Sequence, residues 1–265
     1  MILSFPVKAE TVKICGTLAQ GQIITGHAPN AKKVLIEGKD IKLTKDGKFI
    51  YAFSRDSELL NNLEIDYGSG ETKNYILSIS ETKWDIQNLK GVEQKKVTPS
   101  KQDEKEIARE RNDIRAAQNK TTENTFWEEV FSFPVEGRES GKFGGQRIMN
   151  GSRMNPHAGM DIAAMEGTPI KAPADGIITL SGQENYFYSG NVVVIDHGYN
   201  LYTIYAHILD TKVNAGNKVK KGDILGTVGK TGRVTGAHLH WGASLNDVRF
   251  DPKSLLKKDD LCINL

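Results

Sequence analysis

The sequence predicts an all-β protein in two parts, and three observations carry that expectation. Short apolar or alternating runs recur through residues 1–88, punctuated by Asp46-Gly47 and Gly68-Ser-Gly70. From about residue 134 the chain returns to valine- and isoleucine-rich runs among dense glycines, with no convincing helix over 140–245. Residues 89–125, between them, are charged and helix-forming. A length of 265 residues exceeds the usual single domain and suits a division into 1–88, 89–125 and 126–265.

In the first part, Val34-Leu-Ile36, Ile41-Lys-Leu43, Phe49-Ile-Tyr-Ala-Phe53, Leu63-Glu-Ile-Asp-Tyr67 and Tyr75-Ile-Leu-Ser-Ile79 read as strands. Their length and spacing favour a small antiparallel sandwich. The phrase from Gly16 to Gly26, followed by Ala28-Pro-Asn-Ala, resembles bacterial immunoglobulin-like modules. His27, at a strand-to-loop junction there, reads as a surface histidine and not a ligand.

Ser100, with Asp103 three residues on, makes a helix N-cap. Residues 101–119 then alternate in charge, with only Ile107, Ile114 and a few alanines on one side. So thin a stripe predicts a largely solvated connecting helix. Phe126-Trp127, Phe131 and Phe133 open the second part as core aromatics.

Composition excludes several classes. Lys+Arg number 35 against 33 Asp+Glu, and aromatics do not interleave with the basic residues, so no nucleic-acid platform is present. No stretch approaches the ~20 apolar residues that span a bilayer. The N-terminus lacks a basic n-region and a long apolar core, so either the protein is cytosolic or an export signal has been removed. Two cysteines, Cys15 and Cys262, lie near opposite ends, where one bridge could tie the termini together.

The chemistry gathers in the second part. His157, Asp161, His207, His238 and His240 supply four imidazoles and a carboxylate, a donor set suited to a borderline-soft divalent metal, of which zinc is the usual case. A catalytic zinc takes about three protein ligands, leaving two groups for acid–base work. His157 and Asp161 are four apart, but Pro156 and Gly159 argue for a loop entering a strand, not a helix face. His238 and His240 are two apart in a strand pattern and so share a sheet face. By the same alternation Leu201, Thr203, Tyr205 and His207 share one face. Spacing alone leaves open which of His238 and His240 binds metal. His197, in Ile195-Asp-His-Gly198, reads as an ordinary turn histidine.

The stretch from Phe143 to about Pro252 resembles the lysostaphin-type zinc metallopeptidases, which cleave peptide cross-links of bacterial peptidoglycan. The matching text is Phe143-Gly-Gly-Gln-Arg147, Pro156-His-Ala-Gly-Met-Asp-Ile-Ala163, Thr168-Pro-Ile-Lys-Ala-Pro-Ala-Asp-Gly176, Val194-Ile-Asp-His-Gly198, Tyr205-Ala-His207, Val219-Lys-Lys-Gly-Asp-Ile-Leu-Gly226 and Thr235-Gly-Ala-His-Leu-His-Trp241. The resemblance implies an antiparallel β-sheet groove of the duplicated hybrid motif or barrel-sandwich kind. It makes His157, Asp161 and His240 the zinc ligands and His207 and His238 the catalytic pair. On this resemblance the substrate is a peptidoglycan peptide, the base on the zinc-bound water is His238, and His207 stabilises the oxyanion or positions the water. The Phe-Gly-x-Gln-Arg opening with a β domain upstream looks like periplasmic Gram-negative members, which implies an envelope location for a chain whose export signal is absent. Some members carry a Tyr shortly before the first ligand. Residues 147–156 contain Arg147 and Arg153 but no Tyr, leaving that role unfilled or with His207 or an arginine. Upstream segments in the family can block the groove, so the N-terminal region is a candidate intramolecular inhibitor.

Two rivals compete. A catalytically inactive cell-wall-binding or hydrolase-activating relative would have lost ligands, whereas all five polar positions are present here. A biotinyl or lipoyl carrier would share the Val213–Gly226 hairpin pattern but has no use for paired histidines.

Overall fold

Alternation decides the first domain in this computed structural model, which describes residues 11–68, 70–91, 100–256 and 261–265. Along Leu60–Gly68, residues Asn61, Leu63 and Ile65 point inward while Leu60, Asn62 and Glu64 face solvent. That strand lies between Lys33–Ile36 and Glu71–Ser78, and Lys39–Ile41 completes a four-stranded sheet. A second sheet joins Lys13–Cys15, Ile23–His27 and Lys48–Ala52. Ile14, Ile24 and Phe49 from one sheet meet Val34, Ile36, Leu63 and Ile65 from the other in one core, which makes the expected sandwich. Gly26 is required where it stands, because a Cβ there would lie 2.0 Å from the Phe49 ring.

The chain's last strand joins this first domain. Cys262–Asn264 falls within the span expected for the second domain, yet it pairs antiparallel with Lys13–Cys15 and sets Cys262 opposite Cys15. The two form a disulfide across 247 residues of sequence. Closing so long a loop removes much of the unfolded chain's freedom, an effect of about 2–5 kcal/mol.

The second domain is built on a ten-stranded sheet. Its central run is Gly176–Tyr186, Gly190–Asp196, Leu201–Thr211, His238–Leu245, Gly159–Ala163 and Arg138–Gly141, each antiparallel to its neighbours. One face is mostly apolar: Val193, Ile195, Tyr205, Leu239 and Trp241 lead into Leu201, Ala243 and Leu245. The latter three share a core with Trp127, Phe131 and, from the first domain, Ile23, Ile50 and Ala52. The two domains therefore bury apolar surface against each other. Ile86–Leu89 also pairs in parallel with Gln146–Met149.

The opposite face carries Val192, Val194, Tyr202, Ile204 and Ala206, and the helix Lys101–Gln118 packs there through Ile114 and Ala117. Its capping box is formed: Ser100 accepts from the Asp103 amide and Asp103 accepts from the Ser100 amide. The helix docks on the sheet, contrary to the solvated connector expected from its thin apolar stripe. Half of the docking face is polar and so invisible to a hydrophobic pattern. Asp113 accepts the Tyr186 hydroxyl proton at 3.0 Å, Gln118 donates to the Ser244 hydroxyl at 2.7 Å, and Glu110 is buried. Among the described residues no helix is long and apolar enough to cross a membrane.

His197 is no ordinary turn residue, being fully buried. Its Nδ1–H donates to the Asp175 carbonyl at 2.8 Å, so Nε2 accepts from the Thr203 hydroxyl at 2.7 Å, and the Tyr205 hydroxyl lies 2.8 Å from Thr203. Burial pushes its pKa down to about 4. The unfolded chain takes up this proton near pH 6.5 and the folded chain only near 4, so stability is complete above 6.5 and falls as pH drops through that window. The loss attributable to this one group amounts to about 3 kcal/mol. Comparing denaturant melts from pH 7 to 4, His197→Asn should show a shallower decline than the parent; equal slopes would refute the assignment.

Candidate metal centre

The register between two strands builds the centre. Gly159–Ala163 pairs with His238–Leu245 so that Asp161 stands opposite His240 and Ala163 opposite His238. Directly opposed residues share a face, which puts Asp161, His238 and His240 together. The entry to the first strand is a loop, as Pro156 and Gly159 require. Two backbone bonds hold His157 there: its N–H donates to Gly145 and its carbonyl accepts from Gly144.

Three atoms converge. His157 Nε2 lies 3.0 Å from His240 Nδ1 and 3.1 Å from Asp161 Oδ1, and His240 Nδ1 lies 2.9 Å from the same oxygen. The Lys142 carbonyl accepts the His157 Nδ1–H at 2.9 Å, which leaves Nε2 as a lone pair facing inward. A tetrahedral zinc with bonds near 2.0 Å would hold its ligand atoms about 3.3 Å apart, so the triangle has the size and the chemistry of such a donor set. His157, Asp161 and His240 could thus hold one divalent cation.

Electrostatics agree with that reading. Burial pushes Asp161 up, but hydrogen bonds and charge from His157 and His240 outweigh it and hold the carboxyl well below the usual range. Burial also lowers His157, yet Asp161 with the Lys142 carbonyl leaves it raised. His240 is lowered, chiefly by burial. Bringing so many electron-rich groups into one half-buried pocket is costly unless positive charge sits among them.

His238 and His207 flank the triangle. His238 donates Nδ1–H to the Gly236 carbonyl at 2.9 Å and turns Nε2 toward Asp161, 3.8 Å away. Its ring centroid is 4.7 Å from that of His207, which is 6.1 Å from that of His240. His207 corrects the simple alternation. Tyr205 and Ile208 both enter the apolar core, while Ala206 faces the helix, so strict alternation would send His207 into that core. Instead three steps from Tyr205 to Ile208 oppose two from Val193 to Asn191, a bulge, and His207 takes φ 63° at the extra residue. This turns its ring onto the His238 side. Burial and the neighbouring His240 push its pKa down to about 4. The Thr231 carbonyl accepts its Nδ1–H at 2.9 Å.

All five residues expected from the sequence come together, and His27 stays apart, its ring bonded to the Asp46 carbonyl. Sequence reasoning passed over Gly141 and read Gly159 only as a residue that argues against a helix. A Cβ at Gly141 would come 2.4 Å from Asp161 Oδ2, and one at Gly159 would come 2.4 Å from the Trp241 carbonyl and 2.9 Å from His240 Nε2.

Residues 155–252 match the family model described as Peptidase family M23. The DD-carboxypeptidase/endopeptidase Mpg of Neisseria meningitidis serogroup B is 42% identical over 112 residues, covering 40% of this chain and 25% of that protein. The peptidoglycan DD-endopeptidase ShyA of Vibrio cholerae is 44% identical over 89 residues, covering 34% of this chain and 20% of that protein. The chain thus spans a quarter or less of the length of these curated relatives. A Pseudomonas aeruginosa protein crystallised as a peptidase M23 superposes with a TM-score of 0.69 at 27% identity, over 91% of this chain and 96% of that one.

If His157, Asp161 and His240 hold a divalent cation, Gly141→Ala should displace the Asp161 carboxylate and weaken zinc uptake by about 10–100-fold, the range typical of damage just outside a ligand set. Competition against a chromophoric chelator measures this. Unaltered affinity would mean that Asp161 does not need its present position.

Proposed function

We propose, for a chain whose residues 155–252 form a Peptidase family M23 domain, a zinc-dependent endopeptidase that hydrolyses peptide cross-links or stem peptides of bacterial peptidoglycan. His157, Asp161 and His240 are its ligands in this reading. The observation that carries it is the inward triangle of donor atoms flanked by two imidazoles whose Nδ1 atoms are each tied to a backbone carbonyl. The bound ion would supply a Lewis acid for the scissile carbonyl and make a water acidic enough to lose its proton near neutral pH.

The two remaining histidines divide the proton work by their surroundings. With Nδ1–H committed to Gly236, His238 offers Nε2 as an acceptor, and the Asp161 charge 3.8 Å away offsets the positive charge it gains. His238 is therefore the general base, returning the proton to the leaving amine. His207 is desolvated and held neutral, with Nδ1–H given to Thr231. Such a ring accepts at Nε2 and donates nothing to an oxyanion. Its part is to orient the attacking water.

Relatives named DD-endopeptidases make the D,D cross-link the first bond to assay. The disulfide between Cys15 and Cys262 favours an oxidising compartment, in keeping with a periplasmic or other envelope location. The upstream region also braces the site in this reading: Arg55 Nε donates to the Gly144 carbonyl at 2.9 Å, next to the residues that hold His157.

His240→Ala and Asp161→Ala should each lose stoichiometric zinc and all cleavage of purified muropeptides followed by mass spectrometry. His238→Ala should keep its zinc and lose about 10²–10⁴ in turnover. Wild-type rates from His238→Ala on sacculi would remove it as the base, and a parent protein that holds no zinc would end the hydrolase reading.

A further inference from the structure

The helix Lys101–Gln118 lies outside the matched residues 155–252, yet one of its carboxylates reaches the wall of the site. Glu110 is 6% exposed. Its oxygens accept the Tyr188 N–H at 2.9 Å, the Ser189 N–H at 3.1 Å and the Ser189 hydroxyl. Two successive amides pointing at one carboxylate form a small anion-binding concavity with charge-assisted bonds, the stronger kind.

The turn so held leads to His207. The Ser189 carbonyl accepts the His207 N–H at 2.8 Å, at the left-handed residue of the bulge. The next residue, Gly190, packs so closely on Thr231 that a Cβ would come 2.2 Å from the Thr231 hydroxyl oxygen, and the Thr231 carbonyl takes the His207 Nδ1–H. Both bonds that fix His207 thus depend on where the 188–191 segment sits, and Glu110 fixes that segment from outside. A helix needing only adhesion could use an apolar side chain here, as it does at Ile114 and Ala117. A buried carboxylate is a costly choice unless its partners need the anion.

We propose that Glu110 is a positioning residue: it holds the Tyr188–Ser189 amides so that the Ser189 carbonyl and Thr231 keep the His207 imidazole beside His238. The proposal rests on the part given to His207 above. It makes the connecting helix a component of the hydrolytic site.

The test uses the full chain loaded with zinc. Glu110→Ala should lower kcat on a muropeptide about tenfold or more, with KM and zinc content within twofold of the parent. Glu110→Gln offers one acceptor oxygen where the Tyr188 and Ser189 N–H groups use two, and its amide nitrogen would face the other N–H, so it should recover only part of that loss. Ile114→Ala loosens the same helix without touching the turn and should lower Tm while leaving kcat within twofold. Should Glu110→Ala fail to fold, Ser189→Ala removes only the hydroxyl bond and should cost about two- to fivefold in kcat. His207→Ala separates the two readings. If it loses a hundredfold while Glu110→Ala, or Ser189→Ala in its place, stays at the parental kcat, the positioning role is overturned and the hydrolase reading stands. Parental turnover from His207→Ala would overturn both the part given to His207 and the proposal built on it.

Discussion

The pairing of Gly159–Ala163 with His238–Leu245 is the constraint on which the site depends. A strand's side chains alternate with period two, so sliding one strand by a single residue would send its imidazoles or its carboxylate to the apolar face. The register is fixed from the other side of the sheet. Met160, Ile162, Leu239 and Trp241 all enter the main core, and their burial is worth about 1.5–3 kcal/mol each. Slipping either strand would expose two of these four and bury either the aspartate or the two histidines. The polar cluster is thus held in place by apolar packing that touches no reactive atom.

Much of this arrangement was legible. Paired histidines two apart in an apolar strand, and a carboxylate after a Pro- and Gly-containing loop, have one economical geometry, and the structure adopts it. The N-terminal strands followed from alternation, and the helix from Ser100 and Asp103. His207 was legible as a site residue but not by the rule used to place it. Alternation sets it beside Tyr205 in the core, and only the extra residue of a bulge carries it across. A bulge depends on which neighbouring strand pairs with which residue, and that information is not local. His197 escaped for a related reason, because its importance lies in Thr203 and Tyr205, which reach it only after the strand folds back.

Long-range closure was the least legible feature. The strand Cys262–Asn264 returns to the first sheet, the disulfide seals it there, and a shared core containing Ile23, Ile50, Leu245 and Phe250 spans both domains. Composition shifts mark where a chain changes character, not where its ends meet. Residues 89–125 read as a linker because their apolar stripe is thin. Yet Glu110, Asp113 and Gln118 direct polar groups to the second domain's sheet and the turn that joins two of its strands. A docking face half made of hydrogen bonds leaves no hydrophobic signature.

The bulge at His207 also bears on how the two free histidines differ. A non-glycine residue held at φ 63° costs about 1–2 kcal/mol, which must be offset by the bonds that enforce it. Those bonds are the Ser189 and Thr231 carbonyls, together with the paired segment at Asn191 and Ile208. The gain is a second imidazole within 4.7 Å of the first, in a drier setting. Two equivalent imidazoles would compete for the same proton and leave a second positive charge beside the His157–Asp161–His240 triangle. Burial sets the two rings apart: His207 is pushed down to about 4, while His238 turns its Nε2 toward the Asp161 carboxylate. The strained backbone and the lowered basicity thus have a common cause, the displacement of one side chain from the core into a crowded, poorly solvated wall.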